Sequence, residues 1–199
     1  MGLSIVAIEM LKQKKKSLQL KQRITNKIEV ELECWLEIYN LLNQNQIPFE
    51  IIYIACITGE EFPIWMDYLE ELNSSGYNFN KDLLVIAEND IIPTAVQRLF
   101  PAKNNSHFHY IPNLEIVETQ EYDFQKGLQS CISKINVSGK VVVFFGRVSP
   151  VIILPISDLL NIINNIDLPL YETIYLTDEN FNWLIFCSHK QDWYAGYKT

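Results

Sequence analysis

The chain has 199 residues, 48% of them hydrophobic and 20% charged, which are the proportions of a globular protein with enough apolar material for one large core. Its formal net charge is −8, and its four cysteines are scattered without a CxxC pair. Composition therefore excludes general disorder and a disulfide-stapled scaffold. No apolar run approaches the roughly 18 residues of a membrane span, and no signal-peptide pattern is present, so we expect a cytoplasmic protein.

The charge is segregated along the chain. Residues 1–27 hold seven Lys or Arg and one acid, whereas the remaining 172 residues hold nine basic and 23 acidic residues. An acidic body repels phosphate backbones, so we expect it to bind no nucleic acid and to favour a basic protein partner. The basic segment suits either contact with an anionic surface or the solvated face of a terminal helix.

The segment 1–25 is predicted to be a basic helix, and 26–199 a single domain. Asn26 and Glu29 form a capping pair at the start of the clearest helix, which Pro48 ends. The remaining predictions, in chain order, are strand 49–57, helix 60–72, strand 82–87, helix 91–100, loop 102–113, strand 114–117, helix 122–135, strand 140–145, strand 151–154, helix 156–166 with Ser157 as N-cap, and strands 171–177, 182–188 and 192–197.

Helical and strand segments alternate in the first half of the chain and pair locally at its end. The order strand, helix, strand over 49–87 predicts a parallel pair joined by a crossover. The three last strands are separated by short polar turns, which predicts an antiparallel meander. The expected fold class is α+β, with mixed α/β as the alternative, built as a mixed sheet flanked by helices.

One candidate binding surface combines acids with aromatic residues. Glu118, Glu121 and Asp123 cluster before a predicted helix, where they are either solvated charges or an acidic docking patch. Trp193 and Tyr194 lie near the C-terminal end, where they either close the core or anchor an interface.

Two other residue pairs carry reactive chemistry. Cys187 and His189 are two apart at the end of a predicted strand, a spacing that would place a thiol and an imidazole on one face for nucleophilic catalysis. The alternative is a core cysteine beside a polar strand end. His107 and His109 have the same spacing, but without a third ligand nearby they predict a loop pair rather than a metal site. No glycine-rich phosphate loop occurs, so we expect no cofactor.

The segment 171–189 (YETIYLTDENFNWLIFCSH) resembles the closing hairpin of several small bacterial families, in which a polar turn precedes a Trp-aliphatic strand that ends near a His. Some of these resemble immunity proteins of bacterial toxin systems, including the SMI1/KNR4-like group. The residues that carry the resemblance are Tyr175, Asp178, Phe181, Trp183, Leu184 and His189. The resemblance implies a compact acidic α+β binding protein.

The sequence thus favours a non-enzymatic bacterial binding protein, immunity-like in character, that docks an acidic surface on a basic partner protein. The alternative is a small enzyme that uses Cys187 with His189. Oligomeric state stays open.

Overall fold

The computed structural model describes residues 5–87, 91–103, 110–119, 123–146, 150–166 and 173–198, with the side chains at 5, 6, 31, 33 and 34 left aside. The expected α+β class is confirmed, because helices flank a seven-stranded antiparallel sheet and a separate pair of strands is parallel. The described helices are α1 (Ile5–Gln44), α2 (Phe62–Ser74), α3 (Ile91–Leu99), α4 (Phe124–Ile135) and α5 (Ile156–Ile162). The described strands are β1 (Glu50–Tyr53), β2 (Ala55–Ile57), β3 (Leu84–Ile86), β4 (Glu115–Thr119), β5 (Lys140–Phe145), β6 (Val151–Pro155), β7 (Ile174–Thr177), β8 (Trp183–Cys187) and β9 (Asp192–Tyr197).

The first helix is one continuous element of 40 residues, so the expected helix start at Asn26 is wrong. Residues 12–24 are mostly Lys, Gln, Leu and Arg, which favour helix strongly enough that the chain needs no cap at Asn26. From Ile24 onward one side of α1 is buried against the body, through residues such as Ile28 and Trp35. Every residue from 8 to 19 is exposed. Residues 8–19 of α1 therefore form a helical arm that projects from the body.

The run 49–57, predicted as one strand, is divided between the two sheets. β1 pairs antiparallel with β6 in the large sheet, whereas β2 pairs in parallel with β3, Ala55 lying opposite Leu84. Between them, the Ile54 amide donates to the Leu83 carbonyl oxygen at 3.1 Å. The crossover prediction is confirmed for β2 and β3, since α2 connects them.

The large sheet has the order β1-β6-β5-β7-β8-β9-β4, and each described pairing in it is antiparallel. Strands β7, β8 and β9 form the predicted meander. Alternate side chains enter two cores: Val141, Val143 and Phe145 belong to the core that α1, α4 and α5 cover, whereas Val142 and Phe144 belong to the core that α3 covers. Because both faces are buried, the strands are nearly continuous apolar runs.

The start of α5 also differs from the prediction. Its N-cap is Pro155, and Ser157 lies one residue inside the helix. Pro155 ends β6 with an extended backbone, so the chain turns directly from strand into helix.

Candidate functional site

Two members of the predicted acidic and aromatic surface lie in the interior, which corrects the candidate set. Trp193 is 0% exposed and packs edge-to-face on Phe124 of α4, with ring centroids 6.3 Å apart. Tyr194 points to the opposite core, where its ring lies 5.9 Å from that of Phe186. Strand β9 is covered on both sides, so neither Trp193 nor Tyr194 offers contact area to a partner in this fold.

The acids of the same set have distinct local roles. Asp123 is the N-cap of α4, where its Oδ1 accepts from the Lys126 amide at 3.0 Å. The Oε2 of Glu118 accepts from the Ser130 hydroxyl at 3.2 Å, across from β4 to α4. Glu121 lies outside the described residues. Asp123 is therefore a helix cap, whereas Glu118 lies half-buried at a surface of the sheet.

That surface is the edge of the large sheet formed by β4. In the strand order β4 stands last, and none of the described strands pairs with its outer side. Ile116 on this strand is 53% exposed, comparable to Ile86 of β3 at 59%. At the opposite edge, β1 runs directly into the two-stranded sheet, so the two edges of the large sheet differ in their surroundings.

The charge along this edge is mainly negative. Glu115 and Glu118 flank Ile116, and Asp192 lies opposite Thr119 on β9. Lys134 of α4 makes an ion pair with Glu115 and lowers the pKa of that carboxyl through the hydrogen bond and its charge. Both glutamates contact α4, so they lie on the helical side of the sheet. We define the acidic edge as Glu115, Ile116, Glu118 and Asp192.

The thiol and imidazole pair does not form the predicted strand face. β8 ends at Cys187, and His189 lies in the following turn, where Gln191 has a left-handed backbone with φ 63°. Cys187 is 1% exposed in the core under the helices, and its Sγ lies 3.7 Å from the Ser188 carbonyl oxygen. The side-chain alternation on which the catalytic hypothesis depends thus stops two residues before His189, at Cys187.

Burial also keeps this thiol protonated. Burial raises the pKa of Cys187, and the neighbouring Cys131 and Asp192 raise it further. Burial likewise raises the pKa of Cys131, on α4, to about 12. Because the thiolate is the nucleophilic form, neither cysteine is suited to attack a substrate near neutral pH. Sequence reasoning missed the proximity of Cys131, since nothing local links α4 to the end of β8.

The remaining sequence-based hypotheses concern metal binding and membrane insertion. His107 and His109 lie outside the described residues. Within the part of the chain that is described, no group of three His, Cys, Asp or Glu residues could hold a metal. None of the described helices, α1 included, is both long enough and apolar enough to cross a bilayer.

Two open depressions flank the end of α1. The larger, of about 340 Å³, is lined by Tyr39, Asn40, Asn43, Ser75, Gly76 and Tyr77. Its rings pack on one another, Tyr39 and Tyr77 having centroids 5.2 Å apart, and the Asn40 amide donates to the Tyr77 hydroxyl at 3.3 Å. The lining side chains thus contact one another. The depression is shallow and neutral, unlike the enclosed pockets that bind small ligands.

The acidic edge is thus the described feature closest to the predicted docking surface, and the basic arm is a second exposed feature of opposite charge. Comparison with family models, with curated proteins and with solved structures finds no match to this chain.

Proposed function

We propose that this protein is a non-catalytic binding protein whose acidic edge takes up an extended basic segment of a partner protein. The observation that carries the proposal is the position of Ile116, an exposed apolar side chain between two glutamates on the last strand of the sheet. An open strand edge presents main-chain groups that another strand can pair with.

The binding mode that fits is addition of a strand to β4. Main-chain hydrogen bonds would supply affinity, and alternate side chains of the incoming strand would supply specificity. Basic side chains on its helical side would meet Glu115 and Glu118, while apolar side chains on the other side would meet Ile116. The negative charge of the body would also speed the approach of a basic partner.

In its narrower form, the proposal is that the protein neutralises a basic partner as an immunity-like protein, in keeping with the resemblance of segment 171–189. The alternative enzymatic function, through Cys187 and His189, receives no support from the geometry, because the thiol is buried with a raised pKa.

The test uses a fluorescent eight-residue peptide of alternating Lys and Val, titrated with the full chain and followed by anisotropy. Binding is expected at low salt and should weaken as salt rises, because charges at the surface are screened. Replacing Ile116 by Lys should weaken binding at least about tenfold, since an exposed lysine on an edge strand opposes pairing and repels the peptide.

Ile86→Lys is the matched control, because Ile86 is also an isoleucine on a strand with 59% exposure, but in the small parallel sheet. This variant should bind the peptide within about twofold of the unaltered chain. Equal loss of binding in the two variants, or equal binding of a peptide of alternating Glu and Val, would contradict the proposal.

A further inference from the structure

Helix α1 is divided by charge into two halves. Residues 5–27 of the helix carry seven basic residues and one acid, whereas residues 28–44 carry four glutamates and no Lys or Arg. Two lysines near the middle already bridge to α2, Lys21 to Asp67 at 3.4 Å and Lys27 to Glu61 at 3.1 Å. Lysines of α1 therefore already form ion pairs with carboxylates of the same chain.

The two halves share one outward side. Successive residues turn about 100° around a helix axis, so the side opposite the buried row of Ile24, Ile28, Trp35 and Leu42 runs the whole length of α1. The exposed residues on this outer side include Ile8, Lys12, Lys15, Gln19, Gln22, Asn26, Val30, Glu37, Asn40 and Gln44, and the exposed Glu29 lies at its margin. Along this side the charge changes from positive to negative near Asn26.

The arm is poorly supported by its own chain. Residues 8–19 are exposed on every side, so this part of the helix is held by its own helix propensity and by propagation from the packed half of α1. Apolar side chains remain open on the outer side of both halves of α1: Ile8 is 42% exposed and Val30 is 72% exposed. A second surface that covers the outer side would stabilise the arm and bury these side chains.

We propose that α1 is the interface of a two-fold dimer, in which the basic half of each copy lies antiparallel on the acidic half of the other. With Lys12 at the level of Glu37 of the second copy, Gln19 comes to the level of Val30. Lys15 then lies on the same flank as Glu29 of the second copy, about 7.5 Å from it along the axis. The two-fold axis makes each of these contacts occur twice, because both subunits use the same surface in an isologous interface.

The pattern of charge favours a second copy over a lipid surface. A helix that lies on a membrane keeps one apolar face, with its cations arranged to flank it. Here Lys12 and Lys14 lie about 160° apart around the axis, so cations surround the arm. The same outer side also carries Glu29 and Glu37, which an anionic membrane or nucleic acid would repel.

The experiment is a charge swap on the full chain, read by sedimentation equilibrium. The unaltered chain should dimerise at low salt, more weakly at about 500 mM salt, where screening shortens the range of charge interactions. Lys12→Glu with Lys15→Glu, or Glu29→Lys with Glu37→Lys, should each weaken dimerisation at least about tenfold. All four changes together restore both the net charge and the complementarity, so dimerisation should return to within about threefold.

Glu50→Lys with Glu179→Lys is the matched control, since both glutamates are exposed, lie outside α1 and change the net charge equally. This control should dimerise like the unaltered chain. The proposal is overturned if the chain stays monomeric at about 100 µM and low salt, or if the fourfold variant does not recover. It is equally overturned if the monomeric chain sediments with phosphatidylserine vesicles instead.

Discussion

Gly127 of α4 packs directly against Trp193 of the sheet. A Cβ at this position would lie 2.2 Å from the Nε1 of Trp193, far inside van der Waals contact. In an ordinary helix interior, alanine in place of glycine would gain about 1 kcal/mol. Here the overlap dominates, because Trp193 is fully buried and cannot move aside. Gly127→Ala should therefore lower the free energy of unfolding by about 2 kcal/mol in urea titrations.

Gly59→Ala provides the comparison for this prediction. A Cβ at Gly59 would meet nothing within 4 Å, so the free energy of unfolding should change by no more than about 0.5 kcal/mol. A more stable Gly127→Ala variant would mean that α4 is not held against Trp193 as the structure has it.

The buried thiols predict a loss of stability in alkali. Burial raises the pKa of Cys131 to about 12 and also raises that of Cys187, whereas an unfolded thiol titrates at about 8.5. Above that pH the unfolded chain releases protons that the folded chain keeps, so rising pH favours unfolding. The contribution of the thiols to the free energy of unfolding should be fully present below about pH 8. The free energy of unfolding should then fall between pH 9 and 10, by up to about 1.4 kcal/mol per thiol for each pH unit.

Urea titrations at pH 8, 9 and 10 measure this slope, and the double variant Cys131→Ala with Cys187→Ala isolates its source. The variant will be less stable at pH 8, because two buried side chains are shortened. Its loss between pH 9 and 10 should nevertheless be clearly smaller. An unchanged slope would assign the alkaline transition to tyrosines, among which burial raises the pKa of Tyr110 and Tyr194.

At the scale of elements, α4 depends on its cap. Asp123 accepts from the Lys126 amide at 3.0 Å, and the Asn164 side chain contacts the same oxygen at 3.4 Å. Asp123→Ala should lower the free energy of unfolding by about 1 kcal/mol, because a helix amide loses its acceptor. Asp123→Asn should keep most of this stability, since asparagine also caps helices. Equal losses in thermal or urea unfolding would point to the negative charge rather than the cap.

The elements that sequence predicted best are those whose signal is local. The bounds of β5 and β9 agree with prediction, and in β5 a run of Val and Phe stands between Gly139 and Gly146. The division of run 49–57 could not be predicted, since both halves are equally apolar. Only their partners differ, β6 for Glu50–Tyr53 and β3 for Ala55–Ile57, and those partners are distant in sequence.

The candidate site was predictable to the same limited extent. Glu118 was identified because acids clustered before a helix, and it does lie on an open strand. The burial of Trp193 and Tyr194 was not predictable, because aromatic residues alternate identically on a covered strand and on an open one. For Cys187 and His189, the two-residue spacing was meaningful only if the strand continued, and it ends at Cys187.

At the scale of the molecule, the sheet unites the two cores. Neighbouring residues of β5, such as Val143 and Phe144, belong to opposite cores, so neither core can open without disturbing the strands that serve both. The arm of α1 stands outside this arrangement, because its residues 8–19 are absent from both cores. The molecule thus combines a cooperative body with a helical extension that adds little to the body's stability.

This division predicts the outcome of two truncations. A chain that lacks residues 1–19 should unfold within about 1 kcal/mol of the full chain, with the same dependence on urea, because it loses little buried surface. The measurement belongs at low protein concentration and high salt, where the arm has no partner to stabilise it. Removing residues 1–32 should instead prevent folding, since Ile24, Ile28 and Leu32 are buried in the helical core and each is worth several kcal/mol there. A loss of several kcal/mol in the shorter truncation would show that the arm packs on the body, and equal losses in both truncations would mean that the boundary near Leu20 has no physical meaning.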